Sequence, residues 1–133
     1  MLAVTMLILL SGTAFVLSYA HQVRYELEAT VEAAGQALSW ARNLARGAEG
    51  DANWGVKVNS GQITLFRGGS YAARRAGFDK VFPLPKSVNA TGTTEIVFAR
   101  LTGYPLATGT IMFFATEQAT RTIAVNARGT ISE

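Results

Sequence analysis

No charged residue occurs between Met1 and Ala20, a run that reads MLAVTMLILLSGTAFVLSYA. Beyond it the apolar positions continue as a one-sided stripe: Val23, Leu27, Val31, Ala34, Leu38, Ala41, Leu44 and Ala45. Steps of three and four are the helical period, and the opposite face carries Glu26, Glu28, Glu32, Arg42 and Arg46. The spacing predicts one helix from near Met1 to about Ala48. At 1.5 Å per residue its length is roughly 70 Å. A small domain buries only part of such a helix, so its first half needs another environment.

A chain of 133 residues is one domain's worth. Mean hydropathy is +0.20, and the N-terminal run accounts for much of it. The sequence has no cysteine, which excludes a disulfide framework, a thiolate zinc site and a thiol nucleophile. A net charge of +3 and a pI near 9.6 are too mildly basic to argue for nucleic acid by themselves.

A cleaved secretory signal needs a basic segment before a short apolar core and a small-residue site after it. Nothing basic precedes this run, and it passes into a periodic helix. A membrane span needs about 20 apolar residues. Leu2 to Ala20 just reaches that, diluted by Thr5, Ser11, Gly12, Thr13 and Ser18. The first basic residue is Arg24, after the span, and positive charge favours the cytoplasmic side. Two readings stand: a span with the globular part in the cytoplasm, or a mature N-terminus at Met1 left by removal of a basic leader.

The helix meets its stop signal at Arg46-Gly47-Ala48-Glu49-Gly50-Asp51. Asn53 to Val58 alternates, with Trp54, Val56 and Val58 on one side. Asn59-Ser60-Gly61 turns, and Gln62 to Arg67 alternates again through Ile63 and Leu65, which predicts a β-hairpin. Arg67-Gly68-Gly69-Ser70 opens a loop through Tyr71, Arg74, Arg75 and Gly77. The segment Phe78 to Pro85 is extended, because Leu84 precedes a proline and Pro83 and Pro85 fix φ. Asn89-Ala90-Thr91-Gly92 reads as a surface loop. Thr94 to Arg100, Gly109 to Thr116 and Thr120 to Asn126 are rich in β-branched and aromatic residues. A turn at Ala127-Arg128-Gly129 leads to a short strand, Thr130-Ile131-Ser132. The expected class is α+β. An apolar helix segment 1–20 continues as an amphipathic half, 21–50, and a β domain, 51–133, follows. Its antiparallel sheet, about five or six strands, is covered on its apolar face by the helix.

An apolar helix that runs into an amphipathic one and then a small antiparallel sheet resembles a type IV pilin or pseudopilin. Two segments sharpen the likeness. Ala37-Leu38-Ser39-Trp40-Ala41-Arg42-Asn43-Leu44-Ala45 resembles the helix end of the minor pseudopilins of type II secretion and related minor pilins. Gly109-Thr110-Ile111-Met112-Phe113-Phe114, with the stretch Arg121 to Ile131, resembles the last strands of that subfamily, where an arginine-led strand turns through a glycine. The likeness covers nearly the whole chain, with motifs of moderate specificity.

What this resemblance implies is a structural subunit of an extracellular pilus-like filament that is not an enzyme and takes no cofactor or metal. It lies in the inner membrane before assembly and is served by a leader peptidase and the pilus assembly machinery. It then polymerises as a homo-oligomer through its N-terminal helix. Met1 is then the processed and methylated N-terminus, and Leu2, Val4, Leu7, Ile8, Leu10, Phe15 and Val16 pack the filament core. The sequence departs from the family at Thr5, where pilins carry a glutamate thought to pair with a neighbour's amine. A hydroxyl bonds within its own helix but does not neutralise an ammonium. The cysteine pair and the early helix proline of many pilins are missing too.

The remaining candidates have bland readings. His21, the only histidine, falls at the water end of the apolar run, too far from the sheet for a hydrolytic triad. Gly68-Gly69 and Arg74-Arg75 lack the strand–GxxxxGK–helix context of a phosphate loop. Arg67, Arg74, Arg75, Arg121 and Arg128 form an anion or DNA patch only if they converge, and such binding is steeply salt-dependent. Trp40 and Trp54 read as core residues at the helix–sheet junction. Asn89-Ala90-Thr91 fits the N-glycosylation triplet. Beside the filament subunit stand two alternatives: a minor pseudopilin or DNA-uptake pilin at a filament tip, and a signal-anchored domain that never polymerises.

Overall fold

The computed structural model describes the backbone of residues 2–116 and 119–133, and the side chains of residue 22, 24–115 and 119–133. One continuous helix, α1 (Leu2–Arg46), opens the chain, in agreement with the helical period. It stops where Gly47 and Gly50 were expected to stop it. Gly47 N–H still reaches Asn43 O at 3.0 Å, then Ala48 turns left-handed at φ 50°. The side chains of the charge-free segment lie outside the described residues. Among the described residues, no helix is long and apolar enough to cross a membrane.

The β region contains eight strands rather than five or six. They are β1 (Trp54–Asn59), β2 (Gln62–Arg67), β3 (Lys80–Pro83), β4 (Asn89–Gly92), β5 (Glu95–Phe98), β6 (Gly109–Thr116), β7 (Ala119–Val125) and β8 (Ile131–Ser132). They make two four-stranded antiparallel sheets, ordered β3-β2-β1-β5 and β4-β6-β7-β8, instead of one. The additional strands are β3, within the segment read as extended, and β4. Asn89-Ala90-Thr91-Gly92, expected as a loop, pairs with Ile111 to Phe114 of β6. Its composition is poor for a strand, and the partner's free edge overrides that.

The sheets meet where β4 runs into β5. Thr93 N–H donates to Thr110 O of the second sheet (2.9 Å), and the next carbonyl, Thr94 O, accepts from Val58 N–H of the first (2.7 Å). The expected hairpin β1–β2 forms, with Asn59 opposite Gln62, closed by Ser60-Gly61 with Gly61 at φ +85°.

Both sheets pack on the same helix. Its buried seam is Leu27, Val31, Ala34, Ala37, Leu38, Ala41 and Ala45, and Leu44 is partly buried beside it. In the last three turns the seam is mostly alanine, which lets the strands approach closely. The opposing core is built from Trp54, Val56, Ile63, Leu65, Phe98, Ile111, Phe113 and Ile123. Buried Thr30 returns its hydroxyl to Glu26 O (2.8 Å) and needs no partner across the seam.

A second, smaller core lies on the outer face of the hairpin. Phe66 and Val97 are buried there, covered by the loop from Gly68 to Asp79, whose Tyr71 ring meets Phe66 edge-on at 5.7 Å. Trp54 is a core residue as expected, and its indole N–H donates to Glu49 O at 2.9 Å. Trp40 is not. It is 39% exposed, stands edge-on to Phe82 at 6.4 Å and carries Lys80 Nζ over its ring at 3.8 Å. Two residues past Leu38 is about 200° around a helix of 3.6 residues per turn, which places Trp40 off the seam.

Gly35 lies in the helix body, in the part that packs on the sheets. An added Cβ there meets only the Glu133 carboxylate, at 2.8 Å, the mobile end of a flexible side chain. Alanine gains about 1 kcal/mol of helix propensity over glycine. The Gly35→Ala chain is expected to be about 0.5–1 kcal/mol more stable in equilibrium denaturant unfolding, with the carboxylate displaced.

Candidate functional site

The residues expected to pack a filament core, Leu2, Val4, Leu7, Ile8, Leu10, Phe15 and Val16, lie outside the described side chains, as do Met1, the expected processed N-terminus, Thr5 and His21. What is described is the part of the helix that carries the sheets and the face it leaves uncovered. Seven buried positions from Leu27 to Ala45 take the strands. The other side forms an open trough of about 790 Å³, with Glu28, Glu32, Gln36, Ser39 and Asn43 along one wall and Ile131 and Glu133 of the C-terminal strand along the other. Gly35 lies on its floor and Trp40 at one end. Its lining contains three carboxylates and no basic residue. Helix periodicity already puts Glu28, Glu32 and Gln36 on one line. The opposing wall comes only from the long return of β8.

The five arginines of the possible anion patch are distributed over separate places. Arg67, Arg74 and Arg75 belong to the loop that covers the outer hairpin face. Arg67 stacks over Phe78 (4.5 Å) and donates to Gly50 O. Arg74 stacks over Tyr71 (3.9 Å) and its Nε donates to Asp79 Oδ2 (2.8 Å). That hydrogen bond to the Asp79 carboxylate holds the guanidinium pKa above its ordinary value. Arg75 N–H closes the loop on Arg67 O at 3.0 Å. Asn59 Nδ2 donates to Tyr71 Oη (3.2 Å), and the Glu95 carboxylate accepts from Tyr71 N–H. These contacts hold a loop on a sheet.

Arg121 pairs with Glu28, whereas Arg128 offers its carbonyl to Arg42 Nη2 at 3.3 Å. Their helix partners are 14 positions apart, about 21 Å along the axis. The structure therefore brings Arg67, Arg74 and Arg75 together and leaves Arg121 and Arg128 elsewhere. Asn89, in the glycosylation triplet, is exposed on the edge strand β4.

Sequence reasoning missed the apolar tip beside the helix end. The hairpin-like loop after β5 exposes Leu101, Tyr104 and Leu106 by 63, 52 and 58%. The available signal was Leu101-Thr102-Gly103-Tyr104-Pro105-Leu106, three large apolar residues among turn formers. Among the described residues no group of three His, Cys, Asp or Glu side chains is arranged to hold a metal ion. No family model, curated protein or solved structure matches the chain.

Proposed function

We propose that the chain is a structural subunit of an extracellular type IV pilus-like filament, polymerising through its apolar N-terminal helix. The observation that carries this reading is the division of labour along one unbroken helix. The described seam under the sheets occupies Leu27 to Ala45, and the charge-free stretch comes earlier on the same rod. Some 25 residues precede Leu27, about 37 Å of helix. Exposure of that apolar run to water costs about 25 cal/mol per Å². A bilayer removes it from water before assembly, and identical helices of neighbouring subunits remove it afterwards. The β domain then forms the outer coat, and the contact between copies is heterologous and non-closing, the kind that builds filaments.

The test is made on the native protein in its own cell. Filaments sheared from the surface should contain this chain with a methylated N-terminal amine by intact-mass spectrometry. Leu10→Asp should lower its amount in the sheared fraction by about a hundredfold, given 2.5–3.5 kcal/mol for a charge at the centre of an apolar span. Chain found solely as unmethylated membrane protein, with no filament by electron microscopy, overturns the reading.

A further inference from the structure

Two surface features are left unexplained: a trough that carries carboxylates, and an apolar tip that lies beside arginines. The tip follows β5 and folds back on it. Ala99 N–H donates to Tyr104 O (2.7 Å), Gly103 N–H to Ala99 O (2.9 Å), and Phe98 bridges to Pro105. Leu101 N–H caps the helix at Ala45 O, 2.8 Å away. To do so Leu101 takes φ +74°, a left-handed conformation that is costly for a side chain with a Cβ. The result is a leucine held outward, 63% exposed, at the end of the helix. Arg46 packs against Gly103 beside it, and Arg128 lies on the neighbouring turn. Among the described residues no carboxylate pairs with Arg46 or Arg128.

The trough has the opposite character. Trp40, with Lys80 Nζ over its ring, and Ile131 are its partly exposed apolar residues, and Glu32 and Glu133 line it without an ion-pair partner among the described residues. An exposed leucine beside Arg46 meets a mostly polar trough that carries the carboxylates of Glu32 and Glu133, all three charges unpaired among the described residues. We propose that the tip around Leu101 docks into the Glu32 trough of a second copy of this chain, so that the β domains make a directional head-to-tail contact. It rests on the filament reading, whose parallel helices bring successive copies alongside one another.

The geometry sets the stagger. The tip is level with Ala45 and the trough is centred near Gln36, nine residues earlier, or about 13 Å along the axis. Pairing Arg46 with Glu32 instead spans 14 residues, about 21 Å. Two parallel copies displaced by about 13–21 Å therefore place tip in trough. Knob and socket lie on different surfaces, so each copy docks one neighbour and receives another. Charge complementarity of this kind selects the partner and fixes register.

The absence of native cysteine makes the contact directly measurable. The Gln36→Cys, Thr102→Cys double variant of the full chain is oxidised mildly, both in sheared filaments and in detergent at high concentration. Within one chain these positions are about 13 Å apart along the axis, beyond the roughly 7 Å Cα limit of a disulfide, so every bridge links two copies. The expected result is a ladder of covalent dimers, trimers and longer chains, with each single-cysteine variant staying monomeric. Arg46→Glu or Glu32→Arg alone should lower the yield about fivefold, the scale of one exposed ion pair, and the two together should restore it. If the first cysteine disturbs the helix by circular dichroism, Ser39→Cys replaces it.

Filaments without a ladder overturn the contact and leave the filament reading standing. A ladder in detergent without filaments in the cell does the reverse. A ladder insensitive to both charge reversals overturns the proposed pairing. So does a double variant that forms no ladder while the Thr102→Cys thiol is shielded from thiol reagents by phosphatidylglycerol vesicles, because the tip then binds lipid.

Discussion

Truncation of Phe98 to alanine is expected to lower the unfolding free energy by about 3–5 kcal/mol. Phe98 is fully buried at the end of β5, opposite Trp54 of β1, and its backbone bridges to Pro105. It belongs to the core shared by helix and sheets, where Leu38, Ile63, Leu65 and Phe113 are also fully buried. Removal of the ring forfeits its transfer free energy and leaves a cavity in the core between the sheet and α1 that its neighbours close only in part. A domain of this size has some 5–15 kcal/mol in total, so the variant approaches the unfolding threshold at 37 °C. Guanidinium unfolding of the full chain in detergent, followed by tryptophan fluorescence, measures the change. Trp54, across from Phe98, is a built-in reporter. A loss under 1 kcal/mol would mean that the aromatic ring does not fill this core.

Gly55→Ala is expected to cost about 2–3 kcal/mol, although strand propensity alone predicts a gain. Gly55 lies opposite Phe66 on one neighbour and Val97 on the other, on the face covered by the loop from Gly68 to Asp79. An added Cβ meets Phe66 Cζ at 2.6 Å, Ile96 O at 2.8 Å and Val97 Cγ2 at 3.0 Å. The Phe66 ring is able to tilt, but its far side is held by Tyr71. The Ile96 carbonyl is backbone and does not yield. Overpacking of 1–3 kcal/mol therefore outweighs a propensity difference of about 1 kcal/mol or less. Addition of Phe66→Leu should recover part of the loss and not all of it, because the carbonyl contact survives. Full recovery would assign the clash to the ring alone. The opposite sign expected for Gly35→Ala follows from what faces each glycine: a mobile carboxylate at one, strand backbone at the other.

Local signals account for what was legible. Steps of three and four specified the helix and, from Leu27 to Ala45, its buried seam, since a helix side chain's direction depends only on its position along its own chain. Asn59-Ser60-Gly61 between alternating segments specified the first hairpin, and its register, Asn59 opposite Gln62, came from the structure. The same helical period, applied strictly, puts Trp40 outside the core. Its aromatic character suggested otherwise, and the edge of β3 gives it Lys80 and Phe82 as partners.

Tertiary structure alone decided the rest, through contacts between residues distant in the chain. Asn89-Ala90-Thr91-Gly92 has the composition of a turn and becomes a strand because β6 offers it a free edge. The division into two sheets depends on consecutive residues, Thr93 and Thr94, bonding to different neighbours. The scattering of Arg121 and Arg128, and the meeting of Glu32 with Glu133 across one trough, depend equally on where strands return to the helix. A long helix with a charge-free beginning, an amphipathic continuation and a β-rich remainder follow from periodicity and charge, which act within a few residues. Strand order and the surfaces it creates depend on which edges find each other, a choice made by packing against α1 over the whole chain.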